Sequence, residues 1–214
     1  MNERTALLSM TYFGPIHYFT KFLLYPEIRI ERYDNYTKQT YRNRCVIYSS
    51  NGKLTLSIPV LKGDEHKILT KDIRIDNQKQ WQKLHWRGIE SAYRSSPFYE
   101  YYIDGIARFY EKRYDYLFDY NLEILYAIIK MLDVEVTIGF TDEYIADNHG
   151  NFEDMRELIH PKKPCLSDPA FSPVGYDQVF NSRHGFIPNL SIIDLIFNEG
   201  PGAVEILKKS IIIS

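Results

Sequence analysis

The sequence has few of the features that mark secreted, membrane-spanning or redox-active proteins. It contains two cysteines, Cys45 and Cys165, which do not form a CxxC pair. Its first residues include no apolar run long enough for a signal peptide, and no apolar stretch approaches the length of a membrane span. We therefore expect a cytoplasmic protein without a transmembrane segment.

Charge of one sign is not in excess either. The chain has 26 lysines and arginines against 28 aspartates and glutamates, which gives a formal net charge of −2. Proteins that bind nucleic acids broadly carry a clear basic excess, because they must neutralise phosphates. The composition therefore predicts no nucleic-acid partner.

The signatures of common cofactor and catalytic sites are also missing. The sequence has no Walker loop, no GxGxxG, no GxSxG and no HExxH, and no histidine–carboxylate group has the spacing of metal ligands. We predict neither a cofactor nor a bound metal. Cys45 follows Arg44, a cation that could lower the pKa of the thiol, but a buried strand cysteine is the simpler interpretation.

Aromatic residues, in contrast, are abundant. The chain has 18 tyrosines and 12 phenylalanines, and the hydroxyl groups of the tyrosines need hydrogen-bond partners wherever they are buried. Two interpretations are open. The aromatic residues form a tyrosine-rich core and surface, or they form the walls of a pocket for a sugar or a base.

The N-terminal residues have the pattern of a βαβ unit. A short apolar run at residues 6–8 ends at Gly14–Pro15, residues 16–24 have helical spacing, and residues 27–31 alternate as a strand does. A strand, a helix and a second strand in succession favour two parallel strands joined by a helical crossover.

A β-hairpin is predicted next. Asn51–Gly52 lies between the apolar run 45–48 and the alternating run 54–60, and both turn residues tolerate positive φ. Pro59 indicates that the second strand ends there or lies at a sheet edge. Residues 73–75 continue the alternation and predict a further strand.

The middle of the chain is predicted to be helical. Asp76 or Asn77 can cap a helix, and the apolar face of that helix carries Trp81, Leu84, Ile89 and Tyr93. Residues 101–113 and 121–132 predict two more helices, and residues 134–138 predict a strand.

The last third begins with a polar, proline-rich stretch at residues 142–172, which predicts a long loop. Residues 191–209 predict one or two helices divided near Gly200. The expected fold is one α/β domain over residues 1–214, with an N-terminal βαβ and hairpin region packed against C-terminal helices. A Rossmann-like arrangement is one form within this class.

The first candidate site is a basic segment at residues 36–44. If the segment is extended, Lys38, Arg42 and Arg44 point to the same side, because side chains repeat with period two. Three cations on one face, with Tyr36 beside them, would suit a phosphate or a carboxylate. Asn43, within the same segment, is a further candidate for substrate binding. The alternative is a solvated strand face whose charges protect an edge.

Two further candidate sites contain histidines. His85 lies four residues after Trp81, hence on the same helical face, and could act as an acid or base near neutrality. Arg183 and His184 precede a predicted helix in which Ser191 and Asp194 have the spacing of a capping box. For His85, the alternative is a hydrogen-bonded histidine of the core. For the predicted helix start, the alternatives are a cap without a ligand and an anion site that includes Asp194.

The same segments resemble the WbqC-like family. Residues 11–15 (Thr-Tyr-Phe-Gly-Pro) and 18–21 (Tyr-Phe-Thr-Lys) are similar to its opening, in which Gln-Pro-x-Tyr-Phe-Pro precedes a Tyr-Phe-x-Lys helix. Residues 38–44, the strand end 58–60, Trp81 with His85, and Pro97–Phe98 resemble its middle blocks, and residues 188–200 resemble its closing block. The resemblance therefore covers nearly the whole chain.

Two details qualify the resemblance. Arg-Asn-Arg at residues 42–44 and His-Gly-Phe at residues 184–186 resemble the branch common in Bacteroidetes-type bacteria. Many members begin with His-Gln-Pro, whereas this chain has Leu-Ser-Met at residues 8–10. No role of that histidine or glutamine carries over to this chain.

The resemblance implies a transferase in surface-polysaccharide assembly. Members occur in gene clusters for O-antigen and other surface polysaccharides, and glycine transfer has been suggested for one. Lys38, Arg42 and Arg44 would then hold a phosphate-bearing substrate such as a nucleotide sugar, and His85 would move a proton. Arg183 and His184 would line the same cleft, with His184 as a second candidate catalytic residue. One alternative is a non-catalytic protein that binds a nucleotide sugar or a biosynthetic enzyme. In another, the aligned residues determine the fold around an unrelated ligand.

Overall fold

The computed structural model describes residues 4–61, 67–146 and 152–213. The strands are β1 (Thr5–Ser9), β2 (Glu27–Glu31), β3 (Arg44–Ser49), β4 (Gly52–Ser57), β5 (Thr137–Phe140) and β6 (Phe152–Asp154). The helices are α1 (Ile16–Leu24), α2 (Trp81–Tyr93), α3 (Tyr99–Glu111), α4 (Leu117–Leu132), α5 (Asn181–His184), α6 (Ile192–Glu199) and α7 (Ala203–Lys209). The fold is mixed α/β, as predicted.

A four-stranded parallel sheet has the strand order β5-β2-β1-β6. Thr5 of β1 pairs with Glu27 of β2 on one side and with Phe152 of β6 on the other. All five residues of β1 are buried, which is typical of a central strand covered on both faces. The strand that is shielded most completely from solvent is therefore β1, the first strand in the sequence.

The βαβ prediction is confirmed, because α1 connects β1 to the parallel strand β2. Pro15 precedes the first turn of α1, where a proline costs no hydrogen bond. The helix ends at Leu24, one residue before Tyr25, which has extended geometry. Tyr25 precedes Pro26, and the residue before a proline is disfavoured in a helix.

The hairpin prediction is also confirmed. β3 and β4 pair in antiparallel register from Arg44 opposite Ser57 to Ser49 opposite Gly52. Gly52 has a φ of 92°, which a residue with a side chain rarely adopts. β4 ends two residues before Pro59, as the proline predicted.

Three local predictions in the middle of the chain are wrong. Residues 73–75 form no strand, only isolated bridges to Val60 and Tyr116. No side chain caps α2, because Asp76 Oδ1 accepts a hydrogen bond from the Gln78 backbone in a turn that comes before the helix. Leu84 is 66% exposed and lies away from the buried face of α2.

The predicted loop over residues 142–172 is partly wrong. Residues 152–154 form β6, which adds a parallel strand to the free side of β1. Cys165–Ser167 adds a short 3-10 helix. Residues 147–151 of the predicted loop lie outside the described residues.

The C-terminal helices and the sheet share one hydrophobic cluster. It extends from Ala6 in β1 through Phe109 in α3 and Ile128 in α4 to Leu207 in α7. The predicted division near Gly200 is confirmed, since a 3-10 turn at Gly200–Gly202 separates α6 from α7. Within the described ranges, no helix combines the length and the apolar character needed to cross a membrane.

Candidate functional site

The order of the parallel sheet reverses beside its central strand. From β1 the chain crosses to β2 and later to β5 on one side, and then returns to place β6 on the other side of β1. In open parallel sheets, ligands bind outside the carboxyl ends of the strands at such a reversal. A ligand site is therefore expected at the carboxyl ends of β1 and β6.

A small cavity lies at this edge. Its walls come from the end of β1 and the residues after it, from α1, from the turn before β3 and from the segment after β6. The lining residues are Leu8, Ser9, Met10, Thr11, Tyr18, Thr40, Tyr41, Arg42, Met155, Arg156, Ile159 and His160. Its volume of about 10 Å³ is enough for roughly one water molecule. Hydroxyl, guanidinium and imidazole groups thus meet in a space that is closed in this conformation.

Arg42 is the cation of the predicted basic segment that lines this cavity. Its guanidinium is buried, donates to the hydroxyl of Ser9 at 2.8 Å and forms an ion pair with the carboxylate of Asp34. The Nε of Arg42 is buried and has no hydrogen-bond partner within the described ranges. The Nε–H group of Arg42 is thus a donor that neither Asp34 nor Ser9 uses.

The extended geometry assumed for the basic segment is wrong. Residues 38–42 form turns, and Gln39 has a φ of 62°. Lys38 is exposed, whereas Arg42 is buried, so the two cations do not share a strand face. Asn43 donates to the carbonyl of Ile58 at 2.9 Å and thereby ties the turn to the hairpin.

Arg44 and Arg42 both lie near enough to Tyr36 for their charges to act on its hydroxyl group. Burial raises the pKa of Tyr36 to about 12, and the positive charges of Arg42 and Arg44 act against this rise. The Tyr36 hydroxyl is buried without a hydrogen-bond partner in the described part of the chain. The structure therefore brings together Arg42, Arg44 and Tyr36, but not Lys38.

An ion pair that sequence reasoning missed closes the same edge. Glu31, the last residue of β2, is fully buried, and its Oε2 accepts a hydrogen bond from Arg156 Nη1 at 3.1 Å. Its Oε1 accepts from the Thr141 hydroxyl and from the Tyr33 backbone, both at 2.8 Å. The available signal in the sequence was a glutamate at the end of the second strand of the predicted βαβ unit.

His160 is the histidine that lines the cavity. Burial lowers its pKa, the charge of Glu157 acts against this, and nearby cations that include Arg42 lower the pKa further. The ring is half-buried. An anion bound beside Arg42 would favour the protonated imidazole and raise this pKa.

The connection from β1 to α1 is strained. Phe13 is fully buried and has a φ of 40°, which a residue with a side chain rarely adopts. Its carbonyl accepts a hydrogen bond from the Ser191 hydroxyl at 2.7 Å, which helps to hold the conformation. Such backbone strain is concentrated at functional sites, and here it lies two residues after Thr11 of the cavity.

His85 lies elsewhere, inside an aromatic network. Its Nδ1 shares a 2.9 Å hydrogen bond with the Tyr12 hydroxyl, and the ring also bonds to the backbone of Ser57. The edge of Trp81 packs against it at 5.2 Å between ring centroids. Burial lowers the pKa of His85 to about 4, so the ring is neutral at pH 7. Its role as a proton carrier stays a prediction.

Arg183 and His184 lie on the short helix α5. Both side chains are exposed and face the carbonyl of Ser50 in the hairpin turn, with His184 Nε2 at 2.9 Å and Arg183 Nη1 at 3.5 Å. Neither lines the cavity at the sheet edge. Their predicted role in binding stays a prediction.

Asp194 does not take part in a capping box. The Ser191 hydroxyl bonds to Phe13 instead of the helix start, so no side chain caps α6. The buried Asp194 carboxylate accepts from Tyr93 at 2.8 Å, Tyr176 at 2.5 Å and Gln178 at 3.1 Å. Burial raises its pKa to about 6, although these hydrogen bonds act against the rise.

The predicted site residues therefore divide into three groups with separate partners. Arg42 bonds with Asp34 and Ser9, His85 with Tyr12, and His184 with Ser50. Across the residues that the structure describes, no hydrogen bond or ion pair joins these groups. This separation supports the third interpretation of the sequence, in which part of the pattern maintains the fold.

A second buried charge group lies on α1. His17 Nε2 is 2.6 Å from Asp168 Oδ2, and the fully buried Lys21 pairs with the same oxygen. His17 also stacks on Phe171 at 4.5 Å between centroids. The spacing of four residues between His17 and Lys21 was the signal that sequence reasoning did not use.

Comparisons with known proteins give a family but no activity. The profile described as the WbqC-like protein family matches residues 10–160. An uncharacterised protein of Mycobacterium tuberculosis, Rv1507c, is 27% identical over 92% of this chain and 91% of its own length. No solved structure matches the chain. In the part of the chain that the structure describes, no group of three or more histidine, cysteine, aspartate or glutamate side chains could hold a metal ion.

Proposed function

The chain belongs to the WbqC-like protein family, and we propose that it is a transferase that binds a phosphate-bearing substrate at the carboxyl edge of its parallel sheet. The resemblance implies that this reaction belongs to the assembly of bacterial surface polysaccharides such as O-antigen, with transfer of an aminoacyl group, glycine for example, or of another acyl group. The proposal takes residues 1–214 as one functional domain.

One observation carries the proposal: Arg42 lies buried at the strand reversal with donor capacity to spare. A guanidinium is planar and matches two phosphate oxygens at once. The hydroxyls of Ser9, Thr11 and Thr40 line the same cavity, and His160 faces it from the other wall. These groups are the donors that a phosphate accepts from.

Charge balance determines how an anion would enter. Among the described residues, the carboxylates of Glu31, Asp34 and Asp154 pair with Arg42 and Arg156. A phosphate that accepts from the free Nε of Arg42 would therefore compete with Asp34 for the same guanidinium. Because the closed cavity holds roughly one water molecule, the turn at residues 38–42 must also move away from residues 155–160. Closure over a substrate by such a turn is a common step in transferases.

The remaining predicted contacts take a smaller part in this proposal. Lys38, Asn43, Arg44, Trp81, Arg183 and Asp194 do not line the cavity, and neither do the predicted catalytic histidines His85 and His184. His160 is the histidine within the cavity, so proton transfer at this site would use it. Arg44 would contribute its charge from behind Tyr36.

The second candidate is a non-catalytic protein that binds a nucleotide sugar. The position and state of His85 favour it. The predicted proton carrier lies outside the cavity, and its buried imidazole, with a pKa of about 4 and a bonded Nδ1, is a poor base at pH 7. In this case the site at the sheet edge would bind the same ligand without reaction.

Thermal-shift measurements of the purified protein test the shared part of both candidates. The ligands are nucleotide sugars, nucleoside triphosphates, acyl-CoAs and amino acids, and a ligand at 100 times its Kd adds about 2.7 kcal/mol of stability. Arg42→Lys keeps the charge beside Asp34 but loses the planar fork, so it should weaken binding by about tenfold or more. Arg44→Lys is the matched control and should bind as the wild type does. Equal affinity in Arg42→Lys would remove the proposed anion site.

Mass spectrometry then separates the two candidates. The ligand that shifts the melting temperature is incubated with the protein and candidate acceptors. A transferred group on an acceptor, lost in Arg42→Lys, supports the transferase. Tight binding without any product over many hours supports the non-catalytic protein.

A further inference from the structure

A second, larger groove lies between the start of α2 and the end of α3. Its volume is about 710 Å³, and it shares no lining residue with the cavity at the sheet edge. On α2, Gln82, Lys83 and Trp86 recur with helical spacing and therefore share one face. The sequence motif behind it, Asn-Gln-Lys-Gln-Trp-Gln-Lys at residues 77–83, takes no part in the proposed function.

Two aromatic rings form an apolar wall of the groove. Trp86 and Tyr110 are both half-buried, with ring centroids 5.8 Å apart and planes inclined by 43°. The Tyr110 hydroxyl points inward, where it shares a 2.7 Å hydrogen bond with the buried Tyr12. A ligand in the groove would therefore contact the ring of Tyr110 at this wall and not its hydroxyl group.

Amide side chains supply polar contacts beside these rings. Gln82 donates to the carbonyl of Lys112 at 2.6 Å, and Asn77 donates to the carbonyl of Tyr114 at 2.8 Å. These bonds fix both side chains against the end of α3. Gln78 and Gln80 are exposed at the same rim, and each amide can donate to and accept from a hydroxyl group.

The charge of the groove is positive, although the chain as a whole is slightly acidic. Among the described residues, Lys79, Lys83 and Arg113 line it, against one carboxylate, that of Glu111. Lys83 and Arg113 are exposed and have no ion-pair partner among the described residues, while Lys79 is 3.9 Å from Asp76. Two cations are thus available to a ligand.

We propose that this groove binds an acidic saccharide. Sugar rings would lie on Trp86 and Tyr110, because the C–H face of a sugar is apolar and packs on aromatic surface. The amides would bond to the hydroxyls, and Lys83 with Arg113 would bind a carboxylate or phosphate of the sugar. The inference is independent of the proposed transfer reaction, since the groove is a separate surface.

Single-stranded nucleic acid also uses aromatic rings and cations, and is the competing ligand. Two features favour the saccharide. Four amide side chains line one groove and match a ligand rich in hydroxyl groups. The net charge of −2 is unfavourable for a nucleic-acid surface.

Tryptophan fluorescence gives a direct test of binding. Trp86 lines the groove, whereas Trp81 is 3% exposed, so a saccharide in the groove should change the emission of Trp86. The probes are an oligogalacturonate, a neutral maltooligosaccharide of equal length and an oligothymidylate of equal charge. We expect saturable binding of the oligogalacturonate, at least about tenfold tighter than that of the neutral sugar.

Variants of the intact protein complete the test. Lys83→Ala/Arg113→Ala should weaken oligogalacturonate binding about tenfold and leave the neutral sugar unchanged, whereas Lys209→Ala, an exposed lysine on α7, should change neither. Circular dichroism melting checks that each variant is folded. Unchanged affinity in the double variant, no saturation by either sugar up to about 10 mM, or tighter binding of oligothymidylate would each overturn the proposal.

Discussion

Glu31 and Arg156 are 125 residues apart in the sequence, and their side chains meet at 3.1 Å beside the carboxyl end of β1. Glu31 ends β2 and Arg156 follows β6, the two strands that flank β1. The pair therefore joins the two sides of the sheet where the strand order reverses. Arg156 also bonds to Asp154, so the pair belongs to a larger charge cluster.

Removing the carboxylate of Glu31 should destabilise the protein strongly. Glu31→Leu removes one carboxylate partner of the buried Arg156, and breaking a buried pair in this way costs about 3–5 kcal/mol. Urea unfolding at pH 7 measures the loss. Glu31→Leu/Arg156→Met removes both charges and should recover a large part of it.

The matched control is the exposed pair Lys208–Glu205 on α7. Glu205→Ala should leave the unfolding midpoint nearly unchanged, because solvent screens that pair. An equal loss of stability in Glu31→Leu and Glu205→Ala would contradict the importance given to burial at the sheet edge.

The buried His85 should make stability depend on pH. Its pKa falls to about 4 in the folded chain from about 6.5 in the unfolded chain, so the unfolded chain binds more protons between these values. The contribution, about 3 kcal/mol, is present above pH 6.5 and is lost as the pH falls toward 4. In urea unfolding between pH 4.5 and pH 7, the free energy of unfolding should increase less with pH in His85→Asn than in the wild type. An unchanged slope in His85→Asn would contradict this prediction.

Asp194 should act in the opposite direction. Its pKa rises to about 6 on folding, so its contribution is present below the unfolded pKa of about 3.9 and is lost as the pH rises through 6. Asp194→Asn removes this titration, and its stability should increase with pH more steeply than that of the wild type. The same series of urea curves measures it. A shallower slope in Asp194→Asn would show that the carboxylate is ionised throughout.

Gly200 should not tolerate a side chain. Its φ is +53°, and a Cβ atom at this position would lie 2.4 Å from Cδ1 of Phe98. We expect Gly200→Ala to lose about 2–4 kcal/mol of unfolding free energy, from backbone strain and overpacking together. Gly175→Ala is the control and should change stability by less than about 0.5 kcal/mol. Apart from its chain neighbours, no described residue has an atom within 4 Å of the Cβ position at Gly175. Equal melting temperatures for the two variants would contradict the role of Gly200.

Local sequence patterns were sufficient for the elements that depend on near neighbours. α1 could be predicted because its apolar spacing lies between two prolines, and the hairpin because Asn51–Gly52 determines its turn. β6 could not be predicted, because Phe-Glu-Asp at residues 152–154 has neither the length nor the alternation of a strand. Its pairing with β1 determines its structure.

The candidate site depended on the same distinction. Arg42 could be chosen as a candidate anion-binding residue because other cations lie near it in the sequence. Its burial against Asp34 and Ser9 could not be predicted, because the pattern of residues 36–44 favours an extended strand, whereas residues 38–42 form turns. Arg156 and His160 reach the cavity only because β6 joins the sheet. Contacts between distant segments carry no local pattern, so sequence reasoning missed them.

The late position of β6 in the chain has a consequence for biosynthesis. Translation delivers β1, α1 and β2 first, and the hairpin of β3 and β4 can form as soon as it leaves the ribosome. One edge of β1 must wait for Phe152–Asp154, after most of the chain has been made. An unpaired edge on an apolar strand is a template for wrong pairing, so the nascent chain is most prone to aggregation before β6 emerges.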